Sequence, residues 1–213
     1  MSVVLPYLLS GISVGGQYAL IAIGYTMVYG ILRLINFAHG DVFMVAGVMM
    51  VYLSASLPLY ISMPLMLILT VIIGFAIERA AYKPLRSAPS LAVLITAIGV
   101  SYFLQNAALL IWKSDPKVFT SVINLPSLEL AGGDLLISSV AIVTVLACII
   151  IMVALTLFTG NTKMGKAMRA VSEDKGAAQL MGINVNSTIS LTFAIGSGLA
   201  AIAGVLLCSA YPT

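Results

Sequence analysis

The sequence predicts an all-α, polytopic transmembrane helix bundle of about six spans, with one amphipathic helical segment outside the membrane. Three observations predict it. Mean hydropathy is +1.13. Charged side chains make up 8% of the 213 residues against 61% hydrophobic ones, more apolar surface than a globule of this size can hide from water. The apolar residues also come in runs of about 20, the length of a helix that crosses a hydrocarbon core, separated by segments rich in Gly, Pro and small polar residues.

The stretch 3 to 77 holds about three such lengths, with Arg33, His39 and Asp41 as its only charged or imidazole side chains. It is too long for a secretory signal and lacks a basic leading region, so it is expected to stay in the mature chain. Spans are expected at 5 to 31, 42 to 57 and 59 to 77, broken at "RLINFAHGD" (33 to 41) and "SASLPL" (54 to 59). A re-entrant turn is the alternative reading of the first break. A polar loop, "ERAAYKPLRSAPS" (78 to 90), leads into a span at 91 to 112. A longer polar loop at 113 to 136, a span at 137 to 159, a polar stretch at 160 to 186 and a last span at 187 to 210 complete a single domain over 1 to 213.

Basic residues gather on the cytoplasmic side of membrane proteins. Loop 78 to 90 carries Arg79, Lys83 and Arg86, and loop 160 to 186 carries Lys163, Lys166, Arg169 and Lys175, whereas 113 to 136 mixes Lys113 and Lys117 with Asp115, Glu129 and Asp134. Two spans separate the basic loops, so both lie inside, which puts the N-terminus outside and Arg33 inside. A net charge of +3 without a dense basic cluster gives no footprint for nucleic acid. Cys148 and Cys208 lie singly in apolar runs and read as packing residues; no metal site or cofactor motif is expected. Gly196, Ala200 and Gly204, four residues apart, mark the last span as an interior helix that neighbours approach closely.

"EDKGAAQLMGINV" (173 to 185) stands out as a water-facing passage in this chain. Thr162 is placed to cap a helix running to about residue 170 and Ser172 to cap a second over 173 to 181, with acids in its first turn and Gly182 ending it. Met164, Met168, Val171, Ala178 and Met181 then share an apolar face. Small side chains with central acids suit a groove of a soluble partner better than lipid headgroups.

"AMRAVSEDKGAAQLMGINV" resembles the cytoplasmic coupling loop of ABC transporter permeases. "GGQYALIAIGYTMVYGILRLINFAHGDVFMVAG" (15 to 47) and "ERAAYKPLRSAPSLAVLITAIGVSYFLQN" (78 to 106) are similar to the N-terminal half of branched-chain amino acid permeases. The resemblance implies a non-enzymatic, multi-pass permease subunit in a bacterial cytoplasmic (inner) membrane. Its implied partners are separate ABC ATPase subunits, a second related permease and a periplasmic or extracellular amino-acid-binding protein. By the same resemblance Arg169, Glu173, Asp174, Ala177, Ala178, Met181 and Gly182 form the ATPase-coupling set, 160 to 186 being the coupling loop. Those permeases continue beyond "AIAGVLLCSAYPT", so the domain is expected to be incomplete at its C-terminal end.

Asn36, His39 and Asp41 bring polarity into an apolar region and are substrate-path candidates, because intramembrane ionisable groups are costly. The plainer reading has Asp41 capping the second span at the interface while Asn36 and His39 satisfy freed backbone groups. Glu78 and Arg79 read as an interface anchor, and Gln105 and Asn106 as hydrogen bonds between helices. By the same resemblance the leading function is passage of leucine, isoleucine or valine; the sequence has no phosphate-binding Gly-rich loop, so the ATPase that drives it is expected to be a separate chain. Urea or short amides form an alternative within the family. An ion-coupled secondary transporter would need paired broken helices and midplane carboxylates, of which Asp41 is the sole candidate.

Overall fold

In the computed structural model the described residues are 4–32, 35–86, 88–113, 115, 119, 128–130, 135–137 and 139–210. Among the described residues there are eight α-helices: α1 Val4–Leu32, α2 Ala38–Ser56, α3 Leu59–Ile77, α4 Ser90–Trp112, α5 Ser139–Asn161, α6 Lys163–Glu173, α7 Lys175–Leu180 and α8 Val185–Ala210. Among the described residues five helices, α2, α3, α4, α5 and α8, are long and apolar enough to cross a membrane. The 29-residue α1 packs along them as a sixth rod. The all-α polytopic expectation therefore holds, with span ends within four residues of those read from the sequence, the largest shift being the start of α2 at Ala38 rather than 42.

Local chemistry sets the ends. Leu57 is extended because it precedes Pro58, and α3 starts directly after that proline; α4 likewise starts after Pro89. The end of α3 loosens into a π-helical turn at Glu78–Tyr82 and a 3-10 turn at Lys83–Leu85. Inside the spans, hydroxyls return to their own helix: Thr70 donates to the Met66 carbonyl at 2.9 Å and Thr192 to the Thr188 carbonyl at 2.8 Å. No water is at hand there to take those bonds.

As expected, α8 is the interior helix, with Gly196, Ala200 and Gly204 buried. It packs against α1, α2 and α3, with α4 outside α2 and α5 outside α1. The small residues are what permit this. A Cβ at Gly204 would stand 3.0 Å from the Phe43 carbonyl oxygen, and one at Gly74 would overlap the Ser197 hydroxyl. The outer faces are apolar, as at Ile95, Phe103, Leu110, Leu146 and Ile150, the surface a bilayer covers.

Loop 113 to 136 holds a feature the hydropathy pattern did not announce. Strands β1 (Leu128–Leu130) and β2 (Leu135–Ile137) pair antiparallel with Glu129 opposite Leu136. Three residues each are too few for a period of two to register in a sequence.

Candidate functional site

Two polar regions stand apart from the apolar bundle. At one end, α6 and α7 form a short corner between the end of α5 and the start of α8, broken at Asp174. Thr162 caps α6 as expected, its Oγ1 accepting from the Gly165 N–H at 2.9 Å while donating to the Phe158 carbonyl at 2.6 Å. Arg169 donates to the Gly160 carbonyl at 3.2 Å, tying α6 back to the end of α5. The second cap differs from the expectation. Ser172 lies inside α6 and donates to the Arg169 carbonyl, and Asp174 caps α7, accepting from Gly176 N–H at 2.7 Å and Ala177 N–H at 3.0 Å. A carboxylate accepts two such bonds better than a hydroxyl, and α6 runs on to Glu173 because nothing stops it sooner.

The single apolar face read from the sequence divides in two. Met168, Val171 and Ala178 are buried with Val28, Ile31, Tyr82, Ile189 and Phe193. Ala178 keeps only 3% of its surface, whereas Leu180 and Met181 are 90% and 82% exposed. The parting falls within α7 itself: Ala178 faces the bundle, whereas Leu180 is the last helical residue and Met181 the C-cap beyond it. Ala178 thus clamps α7 to its own bundle and cannot itself face a partner. Glu173, Asp174, Ala177, Met181 and Gly182 are exposed. Gly182 takes φ +80° and, with Ile183 N–H reaching the Ala178 carbonyl at 3.0 Å, closes α7. Leu180 was missed in the sequence reading; its place three residues after Ala177 was the available signal.

The second region is the break between α1 and α2. The interfacial reading of Asp41 as a cap is not what the structure has. The cap position is Phe37, which makes no side-chain bond, and Asp41 lies in the first turn, accepting from Gln105 Nε2 at 2.9 Å. The α2 start is also deep. His39 lies against Gly24 and Gly196, which are about 12 Å and about 16 Å along their helices from the ends that meet α6 and α7. His39 is 3% exposed, and its Nε2 has no hydrogen-bond partner among the described residues. Asn36 accepts from the Tyr82 hydroxyl at 2.6 Å. Asn36, His39, Gly74 and Ser197 border a space of about 10 Å³, far too small for an amino acid. Arg33 lies outside the described residues. Gln105 makes the expected bond between helices; Asn106 instead donates to the Tyr102 carbonyl one turn back.

Glu78 is the other residue the sequence reading misjudged. It is no interface anchor but fully buried, paired with Arg86 and accepting from the Ser190 hydroxyl at 2.7 Å, while Arg86 also donates to Asn186. The π-helical turn turns its carboxylate inward. The group joins the α3–α4 connection to the start of α8. Arg79, beside it, is exposed. No cluster of metal-ligating side chains occurs among the described residues.

The model of the family described as branched-chain amino acid transport system, permease component, matches residues 7–213. The chain is 43% identical over 220 residues to the high-affinity branched-chain amino acid transport system permease protein BraD of Pseudomonas aeruginosa, covering 97% of this chain and 71% of that relative. It is 40% identical over 222 residues to the permease protein LivH of the same kind of system in Escherichia coli, with the same coverage. No solved structure matches the chain.

Proposed function

The chain belongs to the branched-chain amino acid transport permease family, and from that premise we propose that it conducts leucine, isoleucine or valine across a bacterial cytoplasmic membrane as the permease subunit of an ABC importer. Permease components of such importers work with ATPase subunits and binding proteins. Here the ATPase is taken to seat on the α6–α7 corner, through Glu173, Asp174, Ala177, Leu180, Met181 and Gly182. Arg169 and Ala178 hold that corner to the bundle. A second related permease completes the pathway, and the N-terminus lies outside.

What carries this reading is the pairing of 90%-exposed Leu180 and 82%-exposed Met181 with a buried Ala178 on the same short helix. A two-turn helix has little stability of its own. One clamped from behind and apolar in front is built to be gripped by a second protein. The α2 start supports the pathway. A half-helix beginning inside the bundle, with Asn36, His39 and Asp41 about it, is the kind of element that meets a substrate's charged groups, and at about 10 Å³ the passage is shut there.

The test is uptake. The chain, co-reconstituted with its partner permease, ATPases and binding protein, is expected to accumulate labelled leucine only when ATP is inside, with isoleucine and valine competing and protonophores without effect. Uptake that persists without ATP and collapses with a protonophore would refute it.

A further inference from the structure

A cavity at the other end of the bundle has no part in the sites above. It measures about 330 Å³ and opens between the C-terminal halves of α2 and α8 and the end of α4, large enough for a small metabolite. Val48, Val51, Trp112 and Leu207 give it apolar walls, and Gly47 and Gly204 make room for it. The Tyr52 hydroxyl donates to the Trp112 carbonyl at 2.8 Å, which fixes the end of α4 against α2. Lys113 and Asp115, both exposed, line its rim. Among the described residues neither takes part in an ion pair.

Lys113 also holds φ 61° and ψ −177°, a conformation that is essentially reserved for glycine. It is the sole non-glycine residue with positive φ among those described. A strained backbone at the lip of a cavity, bearing a cation two residues from an anion, is an arrangement that packing alone does not call for.

We infer that this cavity is an entry subsite for the transported amino acid: the branched side chain enters the apolar walls, the carboxylate meets the Lys113 ammonium and the ammonium meets the Asp115 carboxylate. The inference rests on the transport reading and deepens it, since it gives this chain its own affinity for the substrate. Both the apolar walls and the two rim charges are needed for a zwitterion with an alkyl side chain. A lipid tail would need only the walls. Further along α2 from this cavity, towards its N-terminus, stands the closed passage at His39, so the site takes substrate while the way onward is shut.

Trp112 is the chain's one tryptophan and lines the cavity, so its emission reports occupancy directly. The purified chain in nanodiscs, without binding protein, is titrated with leucine, with glycine and with isoamyl alcohol, which has the alkyl group but neither charge. Leucine is expected to shift the emission saturably, and the other two at least tenfold more weakly. Lys113→Gly, which keeps the backbone conformation and removes the ammonium, and Asp115→Asn should each weaken leucine at least tenfold. Val48→Phe, which fills the cavity, should abolish the shift. A Trp112 emission indifferent to leucine, or one that answers the alcohol equally well, would overturn the site. If leucine uptake by the assembled transporter persists in that case, the transport reading stands without it. A normal Trp112 response beside an assembled transporter that carries no branched-chain amino acid would sink the transport reading and leave the site.

Discussion

Truncating Leu180 to alanine separates partner binding from folding. The side chain is 90% exposed, so its removal costs the isolated bundle no packing, and its stability should change by no more than about 0.5 kcal/mol. Nearly the whole side chain is available for burial by a partner, which stabilises a complex by about 1.5–3 kcal/mol. Taking about 2 kcal/mol, the ATPase should bind about 30-fold more weakly. Met181→Ala should lose a similar amount, and the double variant up to about 1,000-fold, less if the two neighbours share a pocket. The assay is ATPase binding to the permease in nanodiscs, with thermal unfolding of the permease alone alongside. Ala178→Trp is the contrast: its site is closed, so it should lower bundle stability by about 1–3 kcal/mol through overpacking. Unweakened ATPase binding by the Leu180, Met181 double variant would refute the assignment of this face.

Gly165→Ala would set a Cβ 2.3 Å from the Phe158 carbonyl oxygen and 2.4 Å from the Thr159 Cα; backbone cannot yield there, and a loss of about 3 kcal/mol is expected, read as faster proteolysis within 160–186. Glu78→Gln leaves Arg86 without its counter-charge and should cost about 3 kcal/mol in thermal unfolding, while Glu78→Gln combined with Arg86→Met should recover most of it; a double variant worse than the single would refute the pairing. Gly182→Leu should destabilise the loop by about 1–2 kcal/mol from its positive φ alone, with Gly182→Asn close to wild type, so an asparagine variant as poor as leucine would show that the conformation is not the cause.

The bundle was legible because hydropathy and length decide it: a membrane leaves helices as the solution for apolar runs of this size. The corner was half legible. Thr162, Gly182 and the polarity of 173–185 could be read as local signals, but the place of the break between α6 and α7 depends on whether Asp174 or Ser172 takes the cap. Both are good caps, and the difference is that the Asp174 carboxylate accepts from two backbone N–H groups at once. Glu78 was illegible for a stronger reason. A carboxylate at the end of an apolar run looks like an anchor until Arg86 and Ser190, 8 and 112 residues away, are brought to it, and that is a tertiary fact. The depth of the α2 start was hidden in the same way, because a break of a few residues beside Arg33 carries no information on which neighbours surround it.

The connection between the two regions follows from α8 itself. It leaves the α6–α7 corner at Val185, immediately after the Met181–Asn184 link, and runs unbroken past Gly196 to Ala210. Its register with the corner is fixed by Asn184, whose side chain accepts from Ser187 N–H at 3.1 Å, and by the Glu78, Arg86, Asn186 and Ser190 group. A displacement of α7 therefore has little slack to dissipate in: about three helical turns above the link, Gly196 meets Gly24 and His39 backbone to ring. A Cβ at Gly196 would stand 2.9 Å from a Val28 methyl, and one at Gly24 would stand 3.1 Å from the His39 ring. Contacts this close do not absorb movement by compression, since close-packed interiors shift between discrete arrangements rather than deform. Sliding α8 by even a fraction of a turn must relocate His39, and with it the start of α2 and the wall of the small space beside it. The glycines that let α8 sit inside the bundle are thus what makes it a rigid shaft between the corner and the start of α2.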